Sequence, residues 1–161
     1  MRPALALGLL RAYGESGDLE RASAVLRLLE ESALANDPRA KGLLGQAQLT
    51  YLAYAGASRW VERFIKEGAT GKIGISRAGD ELYRGIARAR SGDLSAAKAA
   101  FGRVQEVATA KDFQVLNAAQ RSLTGLEAEE REHPLATLAE ETGDRVEQVA
   151  ARVQALSLIH I

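Results

Sequence analysis

Few residues in this chain have types and spacings that could do chemistry. They are two histidines, three pairs of adjacent glutamates and one Gly-Lys step. His133 stands beside Pro134 and His160 lies next to the last residue, and neither has a set of metal-ligating neighbours in sequence. The pairs Glu30-Glu31, Glu129-Glu130 and Glu140-Glu141 could suggest acid/base work or a cation site. On a helix, adjacent side chains point about 100° apart, so the two carboxyl groups of a pair do not converge. Solvated helix faces are the expectation for all three. Gly71-Lys72 lies in "EGATGKIGISRAGD", Glu67 to Asp80. A phosphate loop of the Walker type needs glycine five residues before the Gly-Lys step and Ser or Thr after it. Lys66 and Ile73 stand there instead. A flexible inter-repeat loop is expected. No catalytic residue, cofactor or metal is expected, and the chain reads as a non-enzyme.

If chemistry is sparse, the elements must carry the function by shape. The 161 residues suit one domain or one repeat array. Apolar residues make up 47% but aromatics only 5%, so the core must be built from Leu, Ala, Val and Ile. The 30 alanines point to helices in close contact. Formal net charge is zero, with 21 Lys plus Arg against 21 Asp plus Glu, interleaved along the chain. That balance makes nucleic acid an unlikely partner. There is no cysteine, which excludes disulfides and thiolate metal sites. No apolar run approaches the ~20 residues of a membrane span. "PALALGLL" after Met1-Arg2 is read as a first amphipathic helix and not a signal peptide. The expected location is the cytoplasm.

The four residues "SGDL" occur twice, at Ser16–Leu19 and Ser91–Leu94. Before the first copy, Leu5, Leu9, Ala12 and Tyr13 fall at helical spacing, and Gly14 and Gly17 are expected to break that helix. Asp18 is placed to cap a second helix whose face is Leu19, Ala22, Val25, Leu26 and Leu29. The second copy repeats the plan. Leu82, Ile86 and Ala89 precede it, Asp93 caps, and Leu94, Ala97, Phe101, Val104 and Val107 follow. Between them Leu49, Leu52 and Ala53 lead to Gly56, then Trp60, Val61, Phe64 and Ile65. Asp37-Pro38 suits the start of this middle unit. Turn glycines 17, 56 and 92 imply stacked helical hairpins. Only "KIGIS", Lys72 to Ser76, alternates like a strand.

In "GIARARSGDLSAAKAAF", Gly85, Gly92, Ala97 and Phe101 stand at the offsets of a tetratricopeptide repeat, which the chain resembles over about residues 3 to 110. Tyr13, Gly17, Ala22 and Leu26 match in part, with Leu10 where glycine is usual. The middle unit departs further, with Leu49 and Val61 at the small-residue positions. The resemblance implies an all-α fold of stacked antiparallel hairpins, a right-handed α-solenoid. It also implies a role as a protein–protein interaction scaffold. Small residues at Gly85, Ala22 and Ala97 would let paired helices approach, and Tyr13, Leu26 and Phe101 would fill the space between hairpins. The first helix of each hairpin would line a groove for a protein or peptide partner, at Leu7, Arg11, Gln46, Thr50, Tyr54, Tyr83 and Arg90. Arg11 and Arg90 would suit an acidic peptide.

Residues 1–110 are thus expected to form three hairpins and 111–156 a helical extension or cap. A helix over about Asp112 to Glu132 would bury Phe113, Leu116, Ala119, Leu123 and Leu126. Beyond it, Ala139, Gly143 and Val149 are similar in spacing to a helix-turn-helix, with Arg145, Gln148 and Arg152 on the helix that would read DNA. A terminal helical pair is the preferred reading. A DNA-linked regulator, or the repeat segment of a larger signalling enzyme, is the alternative. The final "SLIHI", residues 157–161, resembles translated adapter read-through, so native sequence is expected to run past Leu156 differently.

Overall fold

The computed structural model describes residues 2–132, and every regular element in them is helical. Their order is α1 (Pro3–Ser16), α2 (Leu19–Leu34), α3 (Pro38–Tyr54), α4 (Ser58–Lys66), α5 (Ala69–Lys72), α6 (Arg77–Arg90), α7 (Leu94–Val107), a 3-10 turn (Ala110–Asp112) and α8 (Phe113–Glu132). No described helix is long and apolar enough to cross a membrane. The expected terminal segment from His133 onward lies outside the described residues, as do the helix-turn-helix spacing and the closing pentapeptide.

Tight turns pair α1 with α2, α3 with α4, and α6 with α7. The three turns are built alike. Gly17, Gly56 and Gly92 have φ of 81°, 74° and 87°, a backbone state nearly free of cost only for glycine. In each, the glycine amide donates to a carbonyl three residues back, at Gly14, Ala53 and Ala89. The next amide reaches five residues back, to Tyr13, Leu52 and Arg88. This closes the helix end with its last carbonyls satisfied. The aspartates then start the next helix. Asp18 accepts from the Arg21 amide at 3.1 Å and Asp93 from the Ala96 amide at 3.2 Å. That is why "SGDL" recurs. At the joint of α2 and α3, Asn36 takes the left-handed role with φ 65°, and Asp37 caps α3 through the Arg39 amide.

The core is continuous from Ala6 to Leu126. Leu10, Leu49 and Gly85 are buried at one repeat offset, and Ala22, Val61 and Ala97 at another. Across α6 and α7, a Cβ at Gly85 would stand 2.4 Å from Phe101 Cε1. The Phe101 ring therefore packs within its own hairpin and is fully buried. Arg84 and Glu81 of α6 together tie three helices. The Arg84 Nε and Nη2 hold Glu62 of α4 at 2.9 and 2.8 Å, and Nη1 reaches Glu81 at 2.7 Å. Glu81 also takes Arg103 of α7 at 2.9 Å.

Several expectations are corrected. Gly14 does not break α1, which continues through it to Ser16. The buried face of α1 is Pro3, Ala6, Leu7, Leu10 and Gly14, while Leu5 is 60% exposed. Leu9 and Tyr13 are partly buried against the core and Ala12 is exposed, while Gly14 lies against Tyr54 of α3. Glu30 is 2% exposed and not on a solvated face, since α3 covers that side of α2. Lys72–Ser76 is not a strand, and Ala69–Lys72 is a helical turn between the positive-φ residues Gly68 and Gly74. Phe113 is 68% exposed. Asp112 takes the buried place in that turn instead. Its carboxylate accepts from Ser76 Oγ at 2.7 Å and from the Thr109 amide at 2.8 Å. The rest of the expected α8 face packs on the core.

Candidate functional site

The helices α1, α3 and α6 lie side by side, and α8 faces them across an open concavity of about 1590 Å³. Among the described residues, α2 and α4 contribute no lining. Six of the seven groove residues expected from the sequence line this space: Arg11, Gln46, Thr50, Tyr54, Tyr83 and Arg90. Leu7 sits in the core.

The six are not equivalent. Thr50 and Tyr83 are buried, and their hydroxyls meet at 3.1 Å. Thr50 Oγ1 donates to the Gln46 carbonyl at 2.7 Å, so the Tyr83 hydroxyl must be the donor to Thr50. This relay joins α3 to α6 and leaves little for a ligand. Arg90 is engaged too. Its guanidinium lies 5.5 Å from the Tyr54 ring centroid, and Nη2 donates to the Glu15 carbonyl at 3.1 Å. The Tyr54 hydroxyl points to Glu15 Oε1 at 3.4 Å. Burial, reinforced by the Glu15 carboxylate and partly opposed by Arg90, pushes the Tyr54 phenol up to about 12. These residues close one end of the concavity, where α1 meets α3 and α6.

The available groups are Arg11, Gln46 and the upper edge of Tyr54, together with residues of α8 that the sequence reading missed. Arg11, Lys111 and Arg121 line the space with no ion-pair or hydrogen-bond partner among the described residues. Opposing them are Glu15, Asp112 and Glu129. Asp112 is already saturated, and its hydrogen bonds from the Thr109 amide and then Ser76 hold it below the usual carboxylate range. The floor is apolar, with Leu82, Ile86, Val115 and Leu126. The signal that could have found the α8 wall was its polar side, Gln114, Asn117 and Arg121 at helical spacing opposite Ala119 and Leu126.

Asp80 sits near Thr70, and burial raises its carboxyl above the usual range while a hydrogen bond from Thr70 works against this. Among the described residues no three His, Asp or Glu side chains gather as a metal set. The arrangement is an open concavity with an apolar floor and cations on opposite walls. No known protein-family model, curated protein or solved structure matches the chain.

Proposed function

We propose that the chain is a tetratricopeptide-like helical-repeat module that binds a segment of another protein along its concave face. It would act as a scaffold or adaptor and not as an enzyme. The observation that carries this reading is the common wall. Gln46 and Tyr54 of the second hairpin, Arg11 of the first and Ile86 of the third all line one space, although they are far apart in sequence. The tight turns at Gly17, Gly56 and Gly92, and the buried repeat offsets, support the solenoid form of the fold. Large rigid side chains and arginines are the residue types that anchor such contacts.

A random peptide library panned on the immobilised full chain tests it. Enriched peptides should be amphipathic and acidic, and Arg11→Glu with Arg121→Glu should weaken their binding by tenfold or more. Equal binding to this folded variant would reject the concave face as the docking surface.

A further inference from the structure

The second hairpin is covered by the first, and the first carries the same kind of surface with no described helix upon it. We infer that this front face of α1 and α2 pairs with the same face of a second copy of the chain. The two copies are related by a two-fold axis that lies in the face and runs their helices antiparallel. The surface is separate from the concave face and does not depend on what that face binds.

The first observation is the stacking register. Counted back from the turn glycines, Leu44, Ala47, Gln48, Tyr51 and Leu52 of α3 stand where α1 has Leu5, Gly8, Leu9, Ala12 and Tyr13. The five in α3 are buried and form one stripe at helical spacing. That stripe lies roughly 130° around the helix from Thr50, which meets Tyr83 of the next hairpin. It lies roughly 130° the other way from Leu49, whose counterpart Gly85 meets Phe101 within its own hairpin. The third side of α3 therefore faces the preceding hairpin, and α3 packs on both α1 and α2. The matching stripe of α1 is open. Leu5 is 60% exposed, Gly8 and Ala12 are exposed, and a Cβ at Gly8 would meet nothing within 4 Å.

The second is composition. An end of a helical array that stays in water carries a polar outer face. The other hairpins place Glu67 and Arg103 at the exposed offset where α2 has Leu28, which is 45% exposed. Arg21 lies 6.0 Å from the Tyr13 ring centroid, so the exposed stripe Arg21, Ala24, Leu28 and Glu31 of α2 borders the stripe of α1. The two stripes make one apolar face with a cation at one end and a carboxylate at the other.

The third is self-complementarity. Because Tyr13 and Arg21 share a level, the middle of α1 between Gly8 and Leu9 is level with residues 25–26 of α2. A two-fold at that level sets Leu5 of one copy against Ala12 of the other, and Leu28 against Ala24. The same operation brings Arg21 to Glu31 of the second copy, twice by symmetry. Arg21 is 71% exposed beside Asp18, and Glu31 is exposed. Arg11 stands about 120° around α1 from Leu5, so both concave faces stay open.

Helices of 14 and 16 residues are ~21 and ~24 Å long, and side by side they offer roughly 400–500 Å² per copy. Stable complexes bury ~1,200–2,000 Å² in total, so this pair is weak and half-formed at roughly 10–100 µM.

Sedimentation velocity of the full chain from ~1 to ~300 µM tests it, with a shift from one chain to two expected across that range. Leu5→Asp with Leu28→Asp should abolish the shift while the helical circular dichroism is unchanged. Arg21→Glu and Glu31→Arg should each weaken the pair about fivefold, and the two together should restore it, since opposite charges again meet. Arg11→Glu with Arg121→Glu should pair like the parent. A single chain at every concentration would overturn the proposal. So would a pair that survives Leu5→Asp with Leu28→Asp, or single swaps that weaken it with no recovery in the double. Loss of pairing in Arg11→Glu with Arg121→Glu would move the contact to the concave face and overturn it as well.

Discussion

Gly14 of α1 lies directly beneath Tyr54 of α3. A Cβ at position 14 would stand 2.6 Å from Tyr54 Cγ and 2.9 Å from its Cβ, so the obstruction is the root of the side chain and not a movable tip. The glycine lets the first two hairpins approach at the closed end of the groove. Gly14→Ala gains roughly 1 kcal/mol of helix propensity but must displace a packed tyrosine, which costs about 1–3 kcal/mol or more. Net destabilisation in chemical denaturation is expected. Gly8 of the same helix has nothing within 4 Å, so Gly8→Ala should stabilise by about 0.5–1 kcal/mol. Equal effects at the two positions would contradict this packing.

Tyr83→Phe should cost about 1 kcal/mol, since it removes the hydroxyl that reaches Thr50 while keeping the ring in place. Tyr83→Ala should cost about 3–5 kcal/mol and is a stability variant, not a binding variant. Denaturant midpoints of the two proteins decide between these roles. If Tyr83→Ala lost binding without loss of stability, the residue would belong to the ligand surface after all.

The phenol of Tyr54 is raised to about 12, first by burial and then by the Glu15 carboxylate. A group raised above its unfolded value of ~10 adds stability that is complete below pH ~10 and is lost as pH climbs toward 12. Ultraviolet titration of the folded protein should show a phenol ionising near pH 12. That step should vanish in Tyr54→Phe. Its persistence there would assign it elsewhere.

Asp112 responds at the other end of the scale. Its carboxyl is held low by the Thr109 amide, then by Ser76. The contribution is therefore full above pH ~4 and disappears as acid protonates the folded form. Asp112→Asn should be less stable than the parent at neutral pH, and the gap should close in acid. A gap independent of pH would mean that the carboxylate charge does not hold the start of α8.

What was legible in the sequence follows from what acts locally. The turn glycines and the capping aspartates 18, 37 and 93 satisfy backbone groups within a few residues, so their pattern is visible in the chain itself. The stripe Ala22, Val25, Leu26 and Leu29 was visible for the same reason. Gly14 was not, because a mid-helix glycine reads as a break unless the tyrosine 40 residues later is known to sit on it. The burial of Glu30 and the exposure of Phe113 also depend on neighbouring helices. Six of the seven positions taken from the sequence line the concavity and Leu7 does not, and which of the six are already engaged was not visible in the chain. The engagement of Arg90 by Glu15 and Tyr54 spans three hairpins. That tie also limits a picture of stability summed over neighbouring hairpins alone.

The central claim is that binding occurs on the concave face. Hydrogen–deuterium exchange of the full chain with and without a panned peptide tests it most directly. The account predicts slowed exchange in α1, α3, α6 and α8, around Arg11, Gln46, Ile86 and Arg121, with α2 and α4 unchanged. Protection confined to α2 and α4 would contradict it.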